Sequence, residues 1–233
     1  MRRVLAVLAF ALALALTAQP AGAGVSRDTR ETLRQAGRWA SAGLLEKADS
    51  ALAGVAADLR SDGSPRDRAR YWGVLGEVRR HAGDFTAAER AYARARAIAA
   101  GAGDSYLQAA ALNGLALSLN ARAGRAAPDA PDGVSAVAAR GQFEVAAERA
   151  RAGGHPTLAA SAWINAGRLA YAAGDRTRGA RLLDLAGDAL ARSRDSRGAA
   201  YALTALGDLA GRHGSDRAAH ALARAHAMAR RLG

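Results

Sequence analysis

The chain has 233 residues, half of them hydrophobic, with no cysteine and a formal net charge of +12. That excludes disulfides, thiol catalysis and an acylated lipoprotein cysteine, and it leaves stability to apolar burial. Alanine, leucine and arginine dominate and β-branched residues are sparse, which favours packed helices over sheet.

Residues 1–23 open with Arg2 and Arg3, continue through an apolar run over 4–16, and reach Ala21-Gly22-Ala23. This is the layout of a secretory signal peptide with an A-x-A cleavage site. An uncleaved anchor is the other reading, although the run is shorter than the roughly 20 residues a membrane span needs. The protein is therefore expected to be exported, to a bacterial periplasm or to the outside. Setting aside Arg2 and Arg3 lowers the formal charge by two, and Lys47 is the only lysine. An arginine bias of this kind follows GC-rich codon usage as readily as function, yet a positive balance still attracts acidic partners.

From there to residue 233 the pattern predicts one helical domain of about five hairpins. Their helices pair 27–42 with 45–60, 65–82 with 85–101, 104–123 with 132–152, 155–173 with 176–193, and 196–213 with 215–231. Asp62-Gly63-Ser64-Pro65, Gly101-Ala102-Gly103-Asp104 and Gly153-Gly154-His155-Pro156 separate hairpins, and Ser215 with Asp216 is expected to cap the last helix. Residues 124–133, GRAAPDAPDG, read either as a solvated loop or as a contact loop on one face.

Five segments share a register: Leu33-Arg34-Gln35-Ala36-Gly37, Trp72-Gly73-Val74-Leu75-Gly76, Leu112-Asn113-Gly114-Leu115-Ala116, Trp163-Ile164-Asn165-Ala166-Gly167 and Leu203-Thr204-Ala205-Leu206-Gly207. A glycine break follows each, at Gly43, Gly83, Gly141, Gly174 and Gly214, and five residues later stands Ala48, Ala88, Ala146, Gly179 or Ala219. A glycine within a helix costs about 0.5–1 kcal/mol relative to alanine. Gly76 is expected to offset that cost by letting its backbone approach Ala88, with Trp72 and Tyr92 filling the space alongside.

The W-x2-L-G order, the Gly83-Asp84-Phe85 turn, Ala88, Tyr92 and Ala95 resemble the tetratricopeptide repeat family, in an extended form of about 40 residues. Trp163, Ala166, Gly167, Gly174-Asp175 and Ala186 match nearly as well; the other copies are weaker, and the closing proline is absent from all. The resemblance implies an all-α fold: a right-handed α-solenoid of stacked antiparallel hairpins whose first helices line a concave groove. Carried over position by position, the groove residues are Arg34, Arg38, Arg70, Glu77, Arg80, Asn113, Asn120, Arg168, Tyr171, Tyr201, Thr204, Asp208 and Arg212. Arginine forks hold carboxylates bidentately, so the expected ligand is a protein or peptide with an acidic segment or a C-terminal carboxylate. The lysine-and-asparagine clamp of chaperone-binding members is not reproduced, and any single arginine of the set also reads as a solvated side chain.

No constellation for chemistry emerges. His81, His155, His213, His220 and His226 form no H-E-x-x-H, and there is no G-x-S-x-G and no phosphate loop. The arginines are interleaved with acids such as Glu89 and Glu148, without a helix-turn-helix, RRM or zinc pattern, which argues against nucleic acid. The expectation is a non-enzymatic scaffold without metal or cofactor. A structural role in an envelope assembly is the alternative. There the Ala218, Leu222, Ala225 and Met228 side of the last helix would meet a second copy, opposite Arg217, His220, Arg224 and Arg230.

Overall fold

The structure is a computed structural model that describes residues 25–126, 134–214 and 217–232. The signal segment, residues 127–133 of the expected loop, and the Ser215–Asp216 cap lie outside the described residues. Those described form ten helices and no strand: α1 (Arg27–Ser41), α2 (Leu45–Ser61), α3 (Pro65–His81), α4 (Phe85–Gly101), α5 (Ser105–Ala126), α6 (Val134–Ala152), α7 (Pro156–Ala172), α8 (Arg176–Ala191), α9 (Arg197–Arg212) and α10 (Arg217–Leu232). Each packs antiparallel to the next. The first helices also touch one another, α1 with α3, α3 with α5, α5 with α7 and α7 with α9, so the hairpins stack as an all-α solenoid.

Local chemistry starts and stops the helices. The side chains of Ser26, Ser64, Asp84, Asp175 and Ser196 accept from backbone N–H groups in the first turns of α1, α3, α4, α8 and α9. Asp104 does the same at the start of α5, accepting from Leu107 N–H at 2.9 Å. Pro65 and Pro156 occupy the first turns of α3 and α7, where the missing N–H has no intrahelical partner to lose. At the end of α3, Gly83 turns left-handed with φ 81°, and the next N–H, that of Asp84, bonds back to Arg79 O at 2.9 Å. The same closure recurs at Gly174, whose follower Asp175 bonds to Ala170 O at 2.9 Å.

Gly141 differs from that expectation. It lies inside α6, with nothing within 4 Å of where its Cβ would stand, and breaks no helix. The third hairpin instead has the longest helices, 22 residues in α5 and 19 in α6. The α5 helix runs on through Gly124, Arg125 and Ala126, residues expected to belong to the loop. Arg125 reaches back over the second hairpin, its guanidinium 5.1 Å from the Phe85 ring centroid and beside Gly83.

The largest core joins α5 through α10 around Phe143, Trp163, Leu183, Leu190 and Met228. A smaller one joins α1 to α3 around Leu33, Leu52 and Val78. In hairpin four the expected close approach is present: a Cβ on Gly167 would stand 3.5 Å from Gly179 O. Hairpin two is built differently. A Cβ on Gly76 would stand 2.9 Å from the ring of Tyr92, and one on Gly114 would overlap that ring. The two glycines thus clear a slot between α3 and α5, and Tyr92 of α4 fills it. Gly76 faces an aromatic ring and not the backbone near Ala88.

Two other packing expectations change. Trp72 is half-buried, with Arg94 4.3 Å from its ring centroid and Tyr71 edge-on at 5.4 Å, whereas Trp163 is wholly enclosed. Trp72 borders a furrow between α2, α3 and α4, where hairpin one leaves its ring accessible to the arginine. Ala219 is exposed; Gly207 meets Ala218 and Leu222 in its place. Of the face assigned to a second copy, Ala225 and Met228 are buried within the chain's own core and Ala218 packs partly against it, which leaves Leu222 exposed.

Ion pairs tie hairpin one to two, two to three and three to four, and one more ties α10 to the segment before α9. Arg30 pairs with Asp67, Arg79 with Asp49, Arg66 with Asp104, Arg122 with Glu89, Arg178 with Glu144 and Arg231 with Asp195.

Candidate binding groove

The first-helix row is hollowed by a groove of ≈ 490 Å³. On α3, Arg70, Gly73, Val74, Glu77 and Arg80 fall on one face by helical periodicity and form one wall. The α1 helix supplies Leu33, Arg34 and Gly37; α5 supplies Tyr106, Leu107, Asn113, Gly114 and Leu117; α7 adds Leu158. Tyr92 and Ala95 of α4 close the floor. Small residues keep the hollow open, since a Cβ on Gly73 would meet nothing within 4 Å.

Charge in the groove is mixed. Arg34 is ion-paired with Glu31 of its own helix. Glu77 accepts from Ser41 Oγ at 3.1 Å and lies 3.9 Å from an Arg80 terminal nitrogen and 3.7 Å from His81 Nε2. Burial, then the neighbouring Glu77 carboxylate, push the Tyr92 phenol up to about 12, against the opposing pull of Arg80. Two buried atoms of the groove residues, Arg80 Nε and Asn113 Oδ1, have no hydrogen-bond partner among the described residues.

Of the thirteen residues expected in the groove, the structure brings Arg34, Arg70, Glu77, Arg80 and Asn113 to this hollow. Arg38 is exposed one turn along α1 and donates to Gln35 Oε1 at 3.3 Å. Asn120 is half-buried on α5, and Arg168 is exposed on α7. Tyr171 packs over Gly179 and stacks on His213 with ring centroids 3.6 Å apart. On α9, Tyr201 is 79% exposed, the Thr204 hydroxyl is turned back to Ala200 O, and Asp208 and Arg212 are exposed. The reading from sequence missed Tyr106, Tyr92 and the apolar lining. An exposed aromatic in an aromatic-poor chain was the available signal for Tyr106; Tyr92 looked like ordinary core.

The described residues carry no catalytic constellation, and no three His, Asp or Glu among them are grouped to hold a metal ion. No helix among them is long and apolar enough to cross a membrane.

The sequence matches no protein-family model and no curated protein. Solved structures do match the fold. A crystal structure of BtubC (BKLC) from P. vanneervenii is 17% identical, covering 88% of this chain and 89% of that one, with a TM-score of 0.58. A Podosopora anserina putative kinesin light chain with nearly identical TPR-like repeats is 16% identical, covering 87% and 95%, with a TM-score of 0.54. The fold is thus that of TPR-like helical repeats.

Proposed function

We propose that the protein is an exported helical-repeat scaffold that holds a segment of another protein in the groove along α1, α3, α5 and α7. The observation that carries this reading is the groove's lining, apolar at its base and edged by Arg70, Glu77, Arg80 and Asn113. Leu33, Val74, Leu107, Leu117 and Leu158 give apolar contact beneath, and Tyr106 stands half-exposed at the side. Arg70 and Arg80 supply charge-assisted donors for an acidic side chain or a C-terminal carboxylate. Arg38, Asn120, Arg168, Tyr201, Thr204, Asp208 and Arg212 form the outer contacts of the same reading, with Tyr171 positioning the α7–α8 hairpin. Residues 24–233 act as one repeat domain, and residues 1–23 direct export to a periplasm or beyond.

A displayed peptide library with free C-termini tests the groove. Selected ligands are expected to be rich in Asp and Glu, and to lose at least tenfold in affinity on R70E or N113A. Ligands that bind both variants as tightly as the parent would remove the groove from the account. The envelope-assembly alternative has little surface left on α10, where Leu222 and Leu232 are the exposed large apolar side chains. Light scattering at high concentration tests it directly.

A further inference from the structure

Beyond Tyr106 and Leu158 the groove adjoins a second cleft of ≈ 470 Å³, enclosed by His155, Thr157, Arg192, Arg194 and Ser196. Its lining holds two arginines and no carboxylate. Between hairpins, arginines are matched by carboxylates, as in Arg30–Asp67, Arg66–Asp104 and Arg178–Glu144. Here the matching acid is withdrawn. Asp195, which follows Arg194 in sequence, pairs with Arg231 at 2.7 Å and Ser196 Oγ is engaged with Ala199 N–H. Neither Arg192 nor Arg194 has a carboxylate partner among the described residues. Two arginines lining one hollow that has no carboxylate make it attractive to an anion.

We propose that this cleft is an oxyanion site, taking a phosphate or carboxylate group between Arg192 and Arg194. Arginine forks pair with either oxyanion through two parallel N–H···O bonds, and Thr157, which also lines the cleft, has a hydroxyl to add as a neutral donor. The wall is built to be close. Ser105 presses on Gly153, where a Cβ would overlap it, and its hydroxyl and His155 Nε2 stand 3.1 Å apart, fixing the imidazole. Tyr106 meets the same imidazole edge-on, with centroids 5.2 Å apart. Because both cavities share Tyr106 and Leu158, a segment held in the groove reaches this site within a few residues. That extension rests on the groove reading; the oxyanion assignment does not.

The test is a 1H–15N NMR titration of the folded chain with inorganic phosphate and, in parallel, with succinate. Saturable shifts are expected at the amides of Gly154, Thr157 and Ser196. They should weaken at least tenfold in R192Q/R194Q and less than twofold in R224Q/R230Q, which removes the same charge from α10. Saturation by phosphate alone identifies a phosphorylated ligand, and saturation by succinate shows that a carboxylate suffices. No saturable shift with either anion, or an equal loss in both double variants, overturns the assignment. Should R192Q/R194Q melt early, R194Q alone serves, with a loss of at least threefold expected. Failure of the peptide library with success here would reject the groove and keep this site.

Discussion

The ring of Tyr92 occupies the space that a side chain at Gly114 would need. A methyl group there must push an aromatic ring that is itself enclosed, and overpacking of this kind costs about 1–3 kcal/mol. Gly114→Ala is therefore expected to lower the chemical-denaturation midpoint despite alanine's better helix propensity. In a Tyr92→Ala background the sign should reverse, because the slot is then empty. A double-mutant cycle reads the coupling, and additivity within about 0.5 kcal/mol would show that the ring is not the obstacle.

Gly141 supplies the opposite case. It is exposed in mid-helix with open space around its Cβ position. Gly141→Ala should stabilise the protein by about 1 kcal/mol through helix propensity alone, seen as a higher melting temperature. A loss of stability would mean that α6 is interrupted at this point.

Tyr92 also makes the fold sensitive to alkali. Its phenol titrates at about 12 when folded, against 10.0 ordinarily, so the folded state retains the proton longer than the unfolded chain. Its contribution is complete below pH 10 and is lost as pH rises through about 12, a total of about 2–3 kcal/mol. Urea melts of Tyr92→Phe across pH 9–12 should show a flatter decline than the parent.

Asp67 acts at the other end of the scale. It is 4% exposed, and burial raises its carboxyl, but hydrogen bonds from Ser64 and Arg30 outweigh that and hold it below the usual 3.8. The folded state therefore favours the ionised form, giving stability that is present above about pH 4 and lost as pH falls through the folded value. Asp67→Asn should cost about 1–3 kcal/mol at pH 7 and less at pH 3, measured by guanidinium melts at both values. An equal cost at the two pH values would place the effect in packing.

Helix boundaries, turns and stacking class were legible from the residues because their causes are local. Caps, left-handed glycines and 3.6-residue periodicity act within a few positions of each other, and hairpins one, two, four and five repeat them. Even the groove's main wall was within reach, since Arg70, Glu77 and Arg80 follow from one helix face. What the local pattern could not say is which neighbour fills a gap. The slot at Gly76 is completed by Gly114, 38 positions later in another hairpin, and their shared occupant comes from the helix between. Equivalent positions likewise hold Trp163 in the core and Trp72 under an arginine. Periodicity assigns a residue to a face, whereas the volume offered to that face depends on side chains from three helices at once. Only the assembled stack decides it.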